Sequence, residues 1–144
     1  MNINDDDATL APVGKVVGLH HVSVPVADVI RSSDWYHYVF AFDVRFILEE
    51  EDGIVGIILQ HESGLTVALR HAPTQAEALR DYCPLSLCVG EHDDLRRWCD
   101  LLDDKSVAHS TILDGHLGWY VEVPDPDGII VELHTYGLPT ADEP

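Results

Sequence analysis

Basic residues are scarce in this chain. Eight Lys and Arg stand against 26 Asp and Glu, a formal net charge of −18 in 144 residues. That balance excludes the positive surface by which proteins hold nucleic acid, and it repels anionic membranes. Long apolar runs are missing too, and none approaches the roughly 20 residues that cross a bilayer. Cysteine is sparse: Cys83, Cys88 and Cys99 are an odd set without metal-type spacing. They read as reduced thiols of a cytoplasmic protein. The opening Met-Asn-Ile-Asn-Asp-Asp-Asp lacks the basic-then-apolar order of a secretory leader. No G-x-S-x-G elbow, phosphate loop or dinucleotide fingerprint occurs.

What the chain has is material for a core. Hydrophobic residues make up 46%, enough for one domain or two small halves sharing a core. Residues 1–15 read as a disordered acidic arm and 137–144 as a tail, leaving 16–136 as the domain. Strands are expected at 16–26, 44–49, 54–60 and 65–70, with a helix over about 29–40 capped by Asp28. Ile30, Trp35 and Val39 would form that helix's core face. Residues 73–81 read as a polar connector with helical tendency. A strand at 85–89, a helix at 93–102 and a strand at 109–113 follow.

The order then repeats itself. Val22-Ser-Val-Pro-Val26 matches Leu85-Ser-Leu-Cys-Val89 at a shift of 63, and the same shift sets Trp35 on Trp98. Ser63-Gly-Leu-Thr-Val-Ala-Leu69 matches Asp127-Gly-Ile-Ile-Val-Glu-Leu133 at a shift of 64. Such internal similarity points to two βαβββ units, near 17–71 and 83–136. The expected class is α+β, with a curved mixed sheet around a cavity and helices outside.

The second unit ends in Gly118-Trp-Tyr-Val-Glu-Val-Pro-Asp-Pro-Asp-Gly-Ile-Ile-Val-Glu-Leu-His134, a strand, a tight turn and a strand. Alternation puts Ile130, Glu132 and His134 on one face and Val131 and Leu133 on the other. A carboxylate in so apolar a strand either lies in water at an edge or has a partner. The same parity sets His21 and Ser23 opposite Val22 and Val24. Histidine and glutamate are N and O donors suited to divalent metals, although a lone buried His is more often a satisfied core residue.

The paired units, His21-Val-Ser-Val-Pro-Val-Ala-Asp28, Trp35-Tyr36 with Phe40-Ala-Phe42, and the Pro124-Asp-Pro-Asp-Gly…Glu132 ending resemble the vicinal oxygen chelate superfamily of glyoxalases, extradiol dioxygenases and bleomycin-resistance proteins. The resemblance covers about 17–136. It implies that His21 and Glu132 converge as ligands of a divalent metal (Fe, Zn, Mn or Ni), with Glu132 also catalytic and His134 a third ligand. Neighbouring His20 would face the other way. The family's remaining ligand positions fall on Ala68 and Pro84, which offer no donor. His71 and His116 match no motif.

Three functions follow from the resemblance. One is a metal-dependent lyase, isomerase or dioxygenase acting on a small substrate chelated by its vicinal oxygens. Another is a metal-free protein sequestering a cationic small molecule. The third is a non-catalytic accessory domain. Ser23, Arg70 and Trp119 are the candidate substrate contacts: Arg70 through its fork geometry or as a partner of surface acids, and Trp119 as a pocket wall or part of a core stripe. A small-molecule ligand and a homodimer are expected, without nucleic acid or membrane.

Overall fold

Asp28 opens the first helix as the sequence suggests. Its carboxylate accepts the backbone N–H groups of Ile30 at 3.1 Å and Arg31 at 3.0 Å, donors that a helix start otherwise leaves open. The computed structural model describes residues 14–137, so the expected arm and tail fall almost entirely outside it. The first unit runs β1 (Val22–Val26), α1 (Val29–Phe40), β2 (Asp43–Glu50), β3 (Gly53–Gln60) and β4 (Thr66–His71). A short helix, α2 (Pro73–Ala78), connects it to β5 (Leu85–Gly90), α3 (His92–Asp104), β6 (Leu113–Gly115), β7 (Gly118–Pro124) and β8 (Ile130–Thr135).

The fold is α+β, built from two βαβββ repeats. Each repeat forms a four-stranded mixed sheet, in the orders β1-β4-β3-β2 and β5-β8-β7-β6. In each, the first strand runs parallel to the last and the remaining pairs are antiparallel.

Local expectations needed correction in three places. The first strand is Val22–Val26, not 16–26, because its ladder partner β4 begins only at Thr66, and Val16 and Val17 are left almost fully exposed. In α1 the buried residues are Val29, Ser32, Ser33, Tyr36, Val39 and Phe40, while Ile30 is 49% exposed. The helix is phased by Tyr36 and not by Ile30. The strand expected at 109–113 shrinks to Leu113–Gly115. Ser110 still tethers that segment: its N–H donates to the Glu122 carbonyl, and its hydroxyl accepts the Glu122 N–H, both at 2.9 Å.

The Pro-Asp-Pro-Asp-Gly turn between β7 and β8 holds the two repeats together. Asp125 accepts N–H bonds from Asp127 (2.8 Å) and Ile129 (3.0 Å), which shape the turn, and the Tyr36 hydroxyl at 3.2 Å. Asp127 accepts the Ala27 N–H and the Arg31 guanidinium of the other repeat, each at 3.2 Å. Both carboxylates are buried. Burial raises the Asp125 pKa despite the two backbone donors, and burial followed by the Asp125 charge raises that of Tyr36. Helix-to-helix contacts extend the seam. Phe40 lies 5.9 Å from Trp98, and Lys105 donates to the Tyr38 carbonyl at 2.6 Å. Both repeats thus share one core, with Val24, Leu69, Val121 and Leu133 turned toward it. No described helix is long and apolar enough to cross a membrane.

Asp125→Ala leaves the Tyr36 hydroxyl and two backbone N–H groups without an acceptor, so it should cost about 3 kcal/mol or more. Tyr36→Phe removes one bond and should cost about 1 kcal/mol. Urea unfolding that ranks the two equally would contradict the assigned roles. A second expectation concerns His109. Its Nε2 meets Asp103 Oδ1 at 2.6 Å and its Nδ1 meets the Ser110 carbonyl at 2.6 Å, two acceptors that only the imidazolium satisfies. Burial lowers its pKa, but the Asp103 bond, the Ser110 carbonyl and the Asp103 charge outweigh it and leave the pKa raised. A raised pKa stabilises the fold fully below the unfolded value of about 6.5 and loses that stabilisation as pH rises through the folded value. Melting curves from pH 5.5 to 8.5 should therefore show wild type falling relative to Asp103→Asn with rising pH. Parallel curves would refute it.

Candidate functional site

Each sheet keeps a face away from the shared core, and the candidate site residues lie mostly on these two faces. On the first sheet, His21 precedes β1 and Arg70 ends β4. They line one cavity of about 360 Å³ with His20, Arg45, Gln60 and Thr66, over the apolar side chains of Phe46 and Ile58. Ser23 is exposed on β1 opposite Ala68 and is not among the lining residues.

His20 belongs to this cavity, contrary to the expectation that it faces away. Strict alternation applies within a strand, and both histidines precede β1. Their Nδ1 atoms approach to 2.8 Å with the rings edge to face at 5.1 Å. One Nδ1 donates and the other accepts. The donor ring then bares an Nε2 lone pair, and the acceptor ring carries Nε2–H. Arg45 was not foreseen either. The register between β2 and β3 slips between Val44 and Phe46. The bulge breaks the alternation at that point, so Arg45 and its neighbour Phe46 both reach the cavity.

On the second sheet, Glu132 and His134 share a face as parity requires. The Ser86 hydroxyl donates to Glu132 Oε1 at 3.0 Å. His134 Nδ1–H donates to the Thr135 carbonyl at 3.3 Å, and its Nε2 stands 3.7 Å from Glu132 Oε1. Its ring stacks on Tyr120 at 5.8 Å and 9°. Gly118, at φ 123°, makes room: a Cβ there would fall 2.6 Å from Thr135 Oγ1 and 3.2 Å from His134 Cε1. Ser86 is the repeat counterpart of Ser23, so the internal match already carried the signal for it. Trp119 lies on the opposite side of β7, edge-on to His92 at 5.0 Å. That is the side of Val121 and Val123, both fully buried.

The structure brings His21 to Arg70 and Glu132 to His134, but it does not bring the two pairs together within one chain. Every residue lining the His21 cavity comes from the first repeat, and no strand of one sheet packs substantially on a strand of the other. The helix seam and the turn of Asp125 and Asp127 hold the repeats by their core sides, and Ser86 lines a separate cavity with Phe42, His61 and Ser63 of the first repeat. Among the described residues no three His, Cys, Asp or Glu side chains are grouped to hold a metal. Ala68 is buried and Pro84 half-buried at the family's other ligand positions. Burial raises the Cys83 pKa against the Ser86 hydrogen bond, with the Glu132 charge adding to the rise, and burial and then Asp103 and Asp100 raise that of Cys99. Neither thiol is thereby primed as a nucleophile.

Comparison with known proteins agrees with this architecture. The family model described as Glyoxalase/Bleomycin resistance protein/Dioxygenase superfamily matches residues 18–133. A search of the curated proteins finds no match. Among solved structures, a glyoxylase/bleomycin resistance protein/dioxygenase domain from Frankia sp. EAN1pec is 22% identical, with TM-score 0.70, covering 85% of this chain and 100% of that one. TnmS3, an antibiotic binding protein from Streptomyces sp. CB03234, is 20% identical with TM-score 0.66, covering 85% and 100%. The fosfomycin resistance protein FosX from Listeria monocytogenes is 16% identical with TM-score 0.66, covering 86% and 97%. FosX is also known in complex with Mn(II) and 1S,2S-dihydroxypropylphosphonic acid. At these identities the likeness is one of fold. The family match covers most of the chain, and this protein belongs to the Glyoxalase/Bleomycin resistance protein/Dioxygenase superfamily.

Proposed function

We propose that this protein is a divalent-metal-dependent enzyme of the lyase, isomerase or dioxygenase type, acting on a small oxygenated substrate. The observation that carries the reading is the pair Glu132 and His134. His134 donates its Nδ1–H to a backbone carbonyl, as metal-ligating histidines do, and its Nε2 stands 3.7 Å from Glu132 Oε1. Two donors about 2.1 Å from one ion stand roughly 3–3.5 Å apart, close to the spacing found. Ser86 and Tyr120 hold the two side chains in place. A bound metal would supply Lewis acidity toward two adjacent substrate oxygens. Glu132 and His134 would hold it, with His21 as third ligand.

The third ligand requires a second copy of the chain. Strands β1 and β5 each have one unpaired edge, and the first site face exposes Phe46 to water. Edges and apolar faces of this kind favour cover. In a two-fold homodimer, the His21 face of one copy would meet the Glu132 face of the other, which gives two equivalent sites. The free thiols of Cys83, Cys88 and Cys99 suit a cytoplasmic protein. The antibiotic-binding neighbour TnmS3 favours a second reading, sequestration of a small molecule without chemistry. The arginines of the His21 cavity speak against a cationic ligand there.

Titrating Mn, Fe, Ni and Zn into metal-free protein should raise the melting temperature with at least one of them. Glu132→Gln and His134→Gln should abolish the rise. A flat wild-type response to all four ions would leave sequestration as the better reading. The dimer has its own test. His21→Ala and Glu132→Gln proteins should each bind no metal alone. Random co-assembly makes half the dimers mixed, each with one intact site, so co-expression should restore metal to about a quarter of the sites. Zero recovery would refute a shared site.

A further inference from the structure

We propose that the cavity at His21 recognises the oxyanion of a small organic acid, a carboxylate or a phosphonate, through Arg45 and Arg70. This rests on reading that cavity as the substrate site, and it names the substrate's chemical class. In a chain with 26 acidic residues and only eight basic ones, an arginine readily finds a carboxylate. Arg31, Arg96 and Arg97 do, pairing with Asp127, Asp93 and Asp94, whereas Arg80 stands singly beside Gly128 of the β7–β8 turn. Among the described residues Arg45 and Arg70 form no such pair; both face one cavity that no Asp or Glu lines, and Arg45 also borders a second cavity with Asp43 and Glu62.

Each arginine reaches the cavity through its local backbone. Arg45 sits at the β-bulge of β2, with its guanidinium 5.7 Å from the Phe46 ring centroid. Arg70 lies at the end of β4, opposite Gly56 of β3, where a Cβ would fall 2.9 Å from the Leu69 carbonyl and 3.7 Å from Arg70 Cδ. Guanidinium forks match the planar oxygens of a carboxylate and the tetrahedral oxygens of a phosphonate, and such charge-assisted bonds are the strong ones. The histidine that carries Nε2–H adds a neutral donor, and Gln60 and Thr66 add polar groups for a hydroxyl or carbonyl. A net charge of −18 repels anions at long range, so this cavity has to bind through its own contacts. A substrate anchored by its acid group here would present its other oxygens toward His21.

Calorimetry on EDTA-treated protein provides the test, with malonate, phosphonoacetate and uncharged malonamide as probes. Malonate or phosphonoacetate should bind and malonamide should not, and the tighter of the two anions identifies the acid group. Arg45→Gln and Arg70→Gln should each weaken binding by about tenfold or more. Arg96→Gln makes the same charge change on α3 and should leave affinity unaltered. Absence of binding by both anions, or equal weakening in all three variants, would overturn the proposal. Anion binding in a protein that takes up no metal would support it and remove the metal reading alone. Metal uptake without anion binding would overturn this inference and leave the metal reading standing.

Discussion

The rest of the structure depends on the burial of two carboxylates in one turn. Asp125 and Asp127 lie in the Pro-Asp-Pro-Asp-Gly segment, and between them they accept two N–H groups of their own turn and three donors from the other repeat. Burying a charge without partners is costly, and the donors from the first repeat, Tyr36, Ala27 and Arg31, lower that cost. The same contacts fix α1 about its axis. Tyr36 must reach Asp125 and Arg31 must reach Asp127, which turns Ile30 out to solvent and Val39 and Phe40 inward.

Docking of this kind has a consequence for the site. The repeats meet through α1, α3 and the turn, and their core sides are satisfied within one chain. Their other faces carry His21, Arg45 and Arg70 on one sheet and Glu132, His134 and Ser86 on the other. The two faces differ in their chemistry. One is cationic and rich in donors, and the other has a carboxylate and an imidazole aligned by neighbours. The electrostatic contrast is local: a strongly acidic chain places Arg45 and Arg70 at one cavity whose lining has no carboxylate.

Much of this was legible in the residues. The self-match at 63–64 residues gave two βαβββ units, and alternation placed Glu132 with His134 and apart from Val131 and Leu133. The turn and N-cap chemistry of Asp28 held as well. The misreadings have identifiable causes. His20 was placed by strand parity although it lies outside the ladder. Arg45 was passed over because a bulge breaks the alternation from which it would have been assigned. Hydrophobicity alone points Ile30 to the core, whereas the helix is phased by a tyrosine hydroxyl whose partner lies 89 residues away.

By itself the sequence determined the fold class, the repeat, the turn and the side of β8 on which Glu132 and His134 stand. These follow from local propensity and from a period of two, which nearest neighbours set. Which faces meet was decided only in three dimensions. It depends on long-range bonds between Asp125, Asp127 and α1, on a register slip in β2 and on the free ends of the ladders. None of these leaves a periodic trace in the chain, so the same alternation that placed Glu132 correctly could not tell whether His21 would stand beside it.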